Sequence, residues 1–170
     1  SLEDLTNYAA EEVEPLTHTW QKGTIYASPA LTGGPTLLSV FHTLCQAQID
    51  TGMPGAKTYQ AMALALDSAF KERLNSMGDH ESPTSPGSTT HFSVVDAEGN
   101  LCAVTQTLLS VFGSKVVSPS TGLVLNNGIM WFDPVPGKPN ALAPGKRCLT
   151  NYSPIIGRGA DGQLIALGAS

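Results

Sequence analysis

The sequence has little of what would direct it to a membrane or to a nucleic acid. Its longest apolar run, residues 61–66, is far shorter than the roughly 20 residues that a bilayer span requires. Nine Lys and Arg face fourteen Asp and Glu, so a net charge of -5 leaves no basic surface for nucleic acid or for an anionic membrane. We therefore expect neither of them among the partners of this chain.

Cysteine is also scarce, with Cys45, Cys102 and Cys148 the three examples in 170 residues. Their scattered spacing fits neither a disulfide framework nor a structural zinc site, and we interpret them as small buried hydrophobic residues. The four histidines have no ligand spacing between them, so we expect no metal and no other cofactor. The first residues do not have the pattern of a targeting peptide, and the compartment stays open.

The first half of the chain carries two helical patterns. Residues 1–34 are rich in Gly, Pro and Thr at their end, which predicts loop and short strand. Apolar residues then recur at spacings of three and four over residues 37–49, and Gly52 ends the pattern. A second helix is predicted from Thr58, as N-cap, to Gly78, as C-terminal cap. Its apolar stripe consists of Tyr59, Met62, Ala63, Leu66, Ala69, Phe70 and Met77.

The second half changes to strand periodicity after a polar, proline-rich linker at residues 79–88. Residues 90–96 and 101–108 predict a hairpin around a turn at 96–100. Further strands are predicted at 123–126 and 163–167, and residues 133–147 are predicted to form a long loop.

The predicted hairpin places two threonines side by side. If residues 96–100 form the loop, Val95 pairs with Leu101, and Thr89 then lies directly opposite Thr107. The side chain of His91 points to the same face. Threonine suits strands, so spacing alone favours a structural role for this pair, and a lone histidine is more often a structural donor than a base.

Several motifs in order along the chain resemble the gamma-glutamyltranspeptidase family. The resemblance rests on Thr89-Thr90-His91-Phe92-Ser93-Val94-Val95-Asp96, Thr105-Gln106-Thr107-Leu108, Phe112-Gly113-Ser114, Gly122-Leu123-Val124-Leu125-Asn126-Asn127, Pro144-Gly145-Lys146-Arg147 and Ser153-Pro154. It extends upstream through Leu2-Glu3-Asp4-Leu5, Gly33-Gly34 and Arg73 before Gly78-Asp79.

The resemblance implies an α/β (α+β) chain that is part of the αββα four-layer sandwich of an N-terminal nucleophile hydrolase. Such a precursor cuts itself before a Thr or Ser, here between Ser88 and Thr89. Residues 1–78 then correspond to the end of a large subunit with two main helices, 79–88 to the linker, and 89–170 to the start of a β-rich small subunit. Cutting frees an α-amine with an ordinary pKa of about 7.7 to 8.0, which can take the proton of the Thr89 hydroxyl.

The resemblance also assigns the site. Thr89 corresponds to the nucleophile and Thr107 to the residue whose hydroxyl assists it. Asn126 and Asn127 match an Asn-Asn pair beside the substrate, although such residues also cap strand ends and turns. Gly128 and Trp131 match positions that hold the substrate α-amino group, and Thr150 and Asn151 match a Ser-Ser pair at its α-carboxylate.

Some of these matches depart from the family pattern. Neither Gly128 nor Trp131 offers a side-chain acceptor for an ammonium group, and Leu109 stands where the family commonly has Asn. A cation could instead rest on the Trp131 ring, which is equally well explained as a core aromatic. The family is longer than this chain, so we expect a fragment with an incomplete site, ending about where a Gly-Gly oxyanion segment is expected.

The expected function is gamma-glutamyltranspeptidase-like acyl transfer or amide hydrolysis, from glutathione-like donors to water or amino acids. A cephalosporin-acylase-like amidase and an inactive structural or binding fragment are the alternatives. The expected partners are a small-molecule amide such as a gamma-glutamyl compound and the remainder of the large and small subunits. The location stays unknown: the resemblance is compatible with a periplasmic or secreted protein, and a cytoplasmic one stays open.

Overall fold

The computed structural model describes residues 2–20, 22–49, 52–77 and 87–169, which form helices and antiparallel sheets. The helices are α1 (Leu2–Asn7), α2 (Gly34–Gln46) and α3 (Ala56–Glu72), with a π-helical turn at Arg73–Met77 and a 3-10 turn at Gly128–Trp131. The strands are β1 (Leu16–Trp20), β2 (Gly23–Ala27), β3 (Gly87–Val95), β4 (Leu101–Ser110), β5 (Ile155–Arg158) and β6 (Leu164–Leu167). The predicted α+β class is confirmed.

Strands from both halves of the sequence build one antiparallel sheet in the order β1-β2-β5-β6. Its central pairing runs from Thr24 opposite Arg158 to Ala27 opposite Ile155. The two remaining strands, β3 and β4, form a separate hairpin sheet. This sheet therefore contains two strands from before the predicted cleavage point and two strands from after it.

Helices α2 and α3 pack together and carry the main apolar core. Its buried members are Val40 and Leu44 of α2 and Ala65 and Ala69 of α3. Two alanines four residues apart lie on one helix face, and their small side chains let α2 approach closely.

The buried face of α3 differs from the predicted stripe. Thr58, Ala65 and Ala69 are buried, whereas Tyr59 is 62% exposed and Phe70 is 50% exposed. Ala69 is a member of the predicted stripe, but Thr58 and Ala65 are not, so the face that packs against α2 lies to one side of that stripe. The predicted N-cap is also wrong by three residues: Gly55 occupies the N-cap, and its N–H donates to Thr58 Oγ1 at 3.4 Å.

The first half contains more regular structure than its composition predicted. Residues 1–34, expected to be loop and short strand, hold α1 and the hairpin of β1 and β2. Helix α2 ends at Gln46 rather than near residue 49. Strand β2 pairs with β5, which lies far away in the sequence. The residue pattern around β2 does not reveal this partner.

The hairpin of β3 and β4 is confirmed with its predicted register, including Val95 opposite Leu101. In its turn, the Asn100 side chain donates to Asp96 Oδ2 at 2.7 Å, and this bond lowers the pKa of the Asp96 carboxyl. Strand β6 also appears where residues 163–167 predicted it. In contrast, residues 123–126 make a single bridge, from Val124 to Val117, and no named strand.

The cysteine interpretation is wrong for two of the three residues, because Cys45 and Cys102 are exposed and Cys148 is half-buried. The cap predicted at Gly78 and the linker residues 79–86 lie outside the described residues, and residues 87 and 88 open β3. None of the helices in the described ranges is long and apolar enough to span a bilayer.

Candidate functional site

Thr89 and Thr107 face each other across the hairpin. They are direct partners in the register of β3 and β4, and Thr89 Oγ1 donates to Thr107 Oγ1 at 2.9 Å. Both side chains are partly buried. Two predicted site residues are thus brought into hydrogen-bond contact by the strand pairing itself.

A register shift in the hairpin lies directly beside this pair. Gly87 pairs with Ser110 and Thr89 pairs with Thr107, so two steps along β3 match three steps along β4. We call the extra stretch of β4, residues 108–110, the bulge. Within it Leu109 has φ = 70°, and its N–H donates to Thr107 Oγ1 at 2.9 Å. The backbone of the bulge therefore supplies a donor that fixes the Thr107 hydroxyl.

His91 lies two residues beyond Thr89, next to the end of β6. Its Nδ1 is 2.8 Å from Thr105 Oγ1, and its Nε2 is 3.1 Å from Ser93 Oγ. A Cβ atom at Gly168 would collide with the imidazole ring, so the backbone after β6 passes directly over His91. Both ring nitrogens are engaged by hydroxyl groups, which indicates a structural role.

The two asparagines at 126 and 127 have different surroundings. Asn126 Oδ1 accepts the N–H of Gly128 at 2.9 Å, which closes a local turn. The Asn127 side chain instead reaches Ser110, accepting its backbone N–H at 3.0 Å and donating to its Oγ at 2.8 Å. Adjacent residues of the pair thus serve separate parts of the molecule.

A cleft of about 680 Å³ collects three of the predicted substrate-binding residues, Asn126, Gly128 and Thr150. The other residues that line this cleft include Tyr8, Glu11, Val13, Leu31, Thr32, Ile129, Phe132, Lys146, Arg147 and Cys148. Neither Thr89 nor Thr107 lines it. Asn127 connects the two places, because its neighbours line the cleft and its own N–H donates to Leu108 O at 3.2 Å.

Charged groups of both signs stand at the cleft. Arg147 donates to Glu11 Oε1 at 2.7 Å, and its guanidinium lies over the Tyr8 ring, 5.8 Å from the ring centroid. Lys146 Nζ donates to the carbonyl oxygens of Pro139 and Ala141. Burial raises the pKa of the Cys148 thiol, which keeps this cleft residue protonated near neutral pH.

Trp131 and Asn151 do not line the cleft. The Trp131 ring packs edge-on against Tyr152, with centroids 5.4 Å apart. Burial is the main cause that raises the pKa of the Tyr152 hydroxyl, and the charge of Cys148 adds to it. Asn151 is exposed. The packing of Trp131 agrees with the interpretation of this residue as a core aromatic.

Thr150 is held from both sides of its peptide unit. Its N–H and its Oγ1 both donate to Leu31 O, at 2.8 and 3.0 Å. Its carbonyl accepts from Arg73, whose guanidinium also donates to Thr32 O and Thr36 Oγ1. Arg73 is only 4% exposed. The wall of the cleft at Leu31, Thr32 and Thr150 is therefore tied together by a buried cation.

The comparison with known families decides the relationship. The profile of the gamma-glutamyltranspeptidase family matches residues 1–87 and 82–170. The chain belongs to this family.

Relatives of this chain include longer proteins from plants and bacteria. It is 29% identical to glutathione hydrolase 2 of Arabidopsis thaliana, covering 100% of this chain and 38% of that protein. It is 28% identical to the glutathione hydrolase proenzyme of Escherichia coli K12, covering 91% of this chain and 35% of that protein. The acylase ACY 1 proenzyme of Pseudomonas sp. strain V22 is 46% identical over 40% of this chain and 12% of its own length. The chain thus spans little more than a third of these relatives at most.

The fold of this chain recurs in a solved structure. The crystal structure of cephalosporin acylase from Bacillus halodurans matches 96% of this chain and 35% of its own length, with a TM-score of 0.72 and 23% identity. At that level of identity the match shows the shared fold.

Two features of the candidate site were missed from the sequence. Arg73 was noted as part of a motif, but its bond to Thr150 spans 77 residues and has no local signal. The bulge was also missed, because an apolar residue such as Leu109 gives no sequence signal of the left-handed conformation that it adopts. In the described part of the chain, no group of three or more His, Cys, Asp and Glu side chains could hold a metal ion.

Proposed function

We propose that the full protein is an acyl-transfer enzyme whose nucleophile is Thr89, exposed as a new N-terminus by cleavage after Ser88. The observation that carries this proposal is the 2.9 Å hydrogen bond between the hydroxyls of Thr89 and Thr107, in a register that the hairpin fixes. The proposal divides the chain into a large-subunit part, residues 1–78, a linker at 79–88 and a small-subunit part, residues 89–170.

The chemistry requires a base on the nucleophile itself. In the uncut chain the Thr89 nitrogen is an amide of β3 and cannot accept a proton. After cleavage its free amine takes the Oγ1 proton while Oγ1 attacks the carbonyl carbon of an amide substrate. The C–N bond breaks, the leaving amine gains the proton, and the acyl group stays on Thr89 as an ester. Water or a second amine then attacks this ester and releases the acyl product.

A matched pair of threonine variants tests the nucleophile. We expect Thr89→Ala to stop cleavage and to lower amide turnover by more than roughly a thousandfold, because the attacking oxygen is lost. Thr90→Ala is the control, since Thr90 pairs with Gln106 on the opposite face of the hairpin. Mass spectrometry of the full-length protein should find a fragment beginning at Thr89 in the wild type and in the control. Normal cleavage or turnover by Thr89→Ala would refute the assignment.

The substrate is a small-molecule amide, and two acyl classes are candidates. Family resemblance favours a gamma-glutamyl compound. An acyl group without an α-amine, as in a cephalosporin-acylase-like amidase, is favoured by the absence of an acceptor side chain at Gly128 and by Trp131, which packs on Tyr152. The apolar side chains of Ile129, Phe132 and Val13 along the cleft also suit such a group.

Two anilides that differ by one group separate these classes. Gamma-glutamyl 4-nitroanilide carries the α-amine and glutaryl 4-nitroanilide lacks it. We expect kcat/KM for the glutaryl compound to equal or exceed that for the gamma-glutamyl compound, because no cleft carboxylate other than Glu11, already paired with Arg147, lines the described cleft. A gamma-glutamyl preference above about tenfold would contradict the amidase candidate. Turnover of neither compound by the cleaved protein would favour the inactive alternative.

A further inference from the structure

We propose that Asn127 is a positioning residue, which locks the bulge so that the bulge holds the Thr107 hydroxyl against Thr89. This inference rests on the acyl transfer proposed above. It assigns Asn127 a place behind the nucleophile rather than in contact with the substrate.

The first step is the contact between Asn127 and the bulge. Three hydrogen bonds join them: Asn127 N–H to Leu108 O at 3.2 Å, Ser110 N–H to Asn127 Oδ1 at 3.0 Å, and Asn127 Nδ2 to Ser110 Oγ at 2.8 Å. They engage the residue before Leu109 and the residue after it. The ends of the bulge are therefore fixed to the 3-10 turn that begins at Gly128.

The second step is the strain that this fixation supports. Leu109 has φ = 70°, a conformation that costs an ordinary side chain energy and persists only where the surroundings impose it. Without the Asn127 bonds, the chain would gain by returning Leu109 to extended geometry. The peptide N–H of Leu109 would then turn away from Thr107 Oγ1, which it now reaches at 2.9 Å.

The third step is the consequence for the nucleophile. The Thr107 hydroxyl has one proton and two lone pairs, and the Leu109 N–H occupies one lone pair. This contact leaves the other lone pair and the proton to interact with Thr89, where the structure has the 2.9 Å bond. The same bulge lies opposite Ser88, the residue at which the predicted cleavage occurs. Loss of the lock should thus slow both cleavage and turnover.

Cleavage rate is the sharpest readout, because it is a single event that needs no added substrate. We expect the full-length Asn127→Leu variant, which keeps the branching at Cγ and loses both side-chain polar contacts, to cleave roughly 10- to 100-fold more slowly. Asn127→Asp keeps an acceptor for the Ser110 N–H and should recover part of the rate. Asn100→Ala is the control, since Asn100 bonds Asp96 at the opposite end of the hairpin.

Steady-state kinetics separate positioning from substrate binding. In the cleaved fraction of Asn127→Leu, corrected by active-site titration, a positioning role lowers kcat by a similar factor and leaves KM within about twofold. A rise in KM with unchanged kcat would overturn the inference in favour of direct substrate contact. Cleavage and kcat equal to the wild type would also overturn it.

Amide hydrogen exchange provides a readout that does not need activity. The Leu109 amide should exchange faster in Asn127→Leu than in the wild type, while the amides of residues 101–105 keep their protection. Unchanged protection at Leu109 would overturn the inference even if the protein never cleaves. A third outcome is a wild type that does not cleave, together with a loss of Leu109 protection in Asn127→Leu. That outcome would support the positioning role of Asn127 and refute the proposed function.

Discussion

Leu109 illustrates at the scale of one residue how a site can require an unfavourable conformation. Its positive φ places it in the left-handed region, which branched and apolar side chains avoid and which Asn adopts readily. This chain therefore forms the geometry with a poorly suited residue. In the lock proposed above, the Asn127 N–H that donates to Leu108 O and the Asn127 Oδ1 that accepts the Ser110 N–H offset the conformational cost.

A pair of variants measures this conformational cost. We expect Leu109→Asn to be more stable than Leu109→Val by about 1–2 kcal/mol, because Asn accepts φ near 70° and a β-branched residue does not. The free energy of unfolding from urea titration is the measurement. Equal or greater stability of the Val variant would show that position 109 is not left-handed in solution.

Helix α3 combines a packing surface with a charged anchor at its end. Ala65 and Ala69 pack on α2, and one turn later the π-helical segment places Arg73 among carbonyl oxygens of two distant loops. A fixed, planar guanidinium can satisfy several acceptors at once, which a lysine cannot do. The helix thereby joins the loop at Thr32 to the loop at Thr150.

Replacement of this anchor should be costly. We expect Arg73→Met to lower the free energy of unfolding by about 2–4 kcal/mol, because the buried oxygens Thr32 O and Thr150 O lose a charged donor. Arg73→Lys should lie between this variant and the wild type. The control is Lys71→Met, an exposed residue paired with Asp67, for which a change within about 0.5 kcal/mol is expected. If Arg73→Met and Lys71→Met unfold at the same urea concentration, the anchor role of Arg73 is contradicted.

At the scale of the whole molecule, the segments before and after Thr89 are joined by strand pairing and by hydrogen bonds. β2 pairs with β5, Gly33 N–H donates to Tyr152 O at 2.6 Å, and Arg73 donates to Thr150 O. These contacts are mostly backbone hydrogen bonds inside a sheet, and the exposed ion pair between Glu11 and Arg147 is a minor addition. Strand pairing therefore joins the segments before and after Thr89 directly.

We therefore expect the two products of the proposed cleavage to remain one particle. In size-exclusion chromatography of the cleaved full-length protein they should co-elute at low salt and at about 1 M salt, where exposed ion pairs are screened. Separation should require a denaturant that unfolds the sheet. Two separate peaks at high salt alone would show that charge, rather than strand pairing, joins the parts.

Some features of the site follow from the sequence alone. Alternating apolar residues, and a five-residue turn that begins with Asp96 and ends with Gly99-Asn100, set the register of β3 and β4. That register brings Thr89 opposite Thr107. These interactions are local. Side chains alternate between the two faces of a strand, so once the turn is fixed only one strand register keeps each side chain on its own face of the hairpin. The family motifs predicted the same pair of threonines.

Other features depend on contacts between distant residues. The sequence predicted one apolar stripe on α3, and packing against α2 buried a face that shares Ala69 with that stripe and adds Ala65. It also left Asn126 and Asn127 as an equivalent pair, whereas the fold gives one to the cleft and the other to the bulge. Which side chain meets which depends on the arrangement of whole elements, since a hydrogen bond such as that from Arg73 to Thr150 has no trace in the residues around either partner.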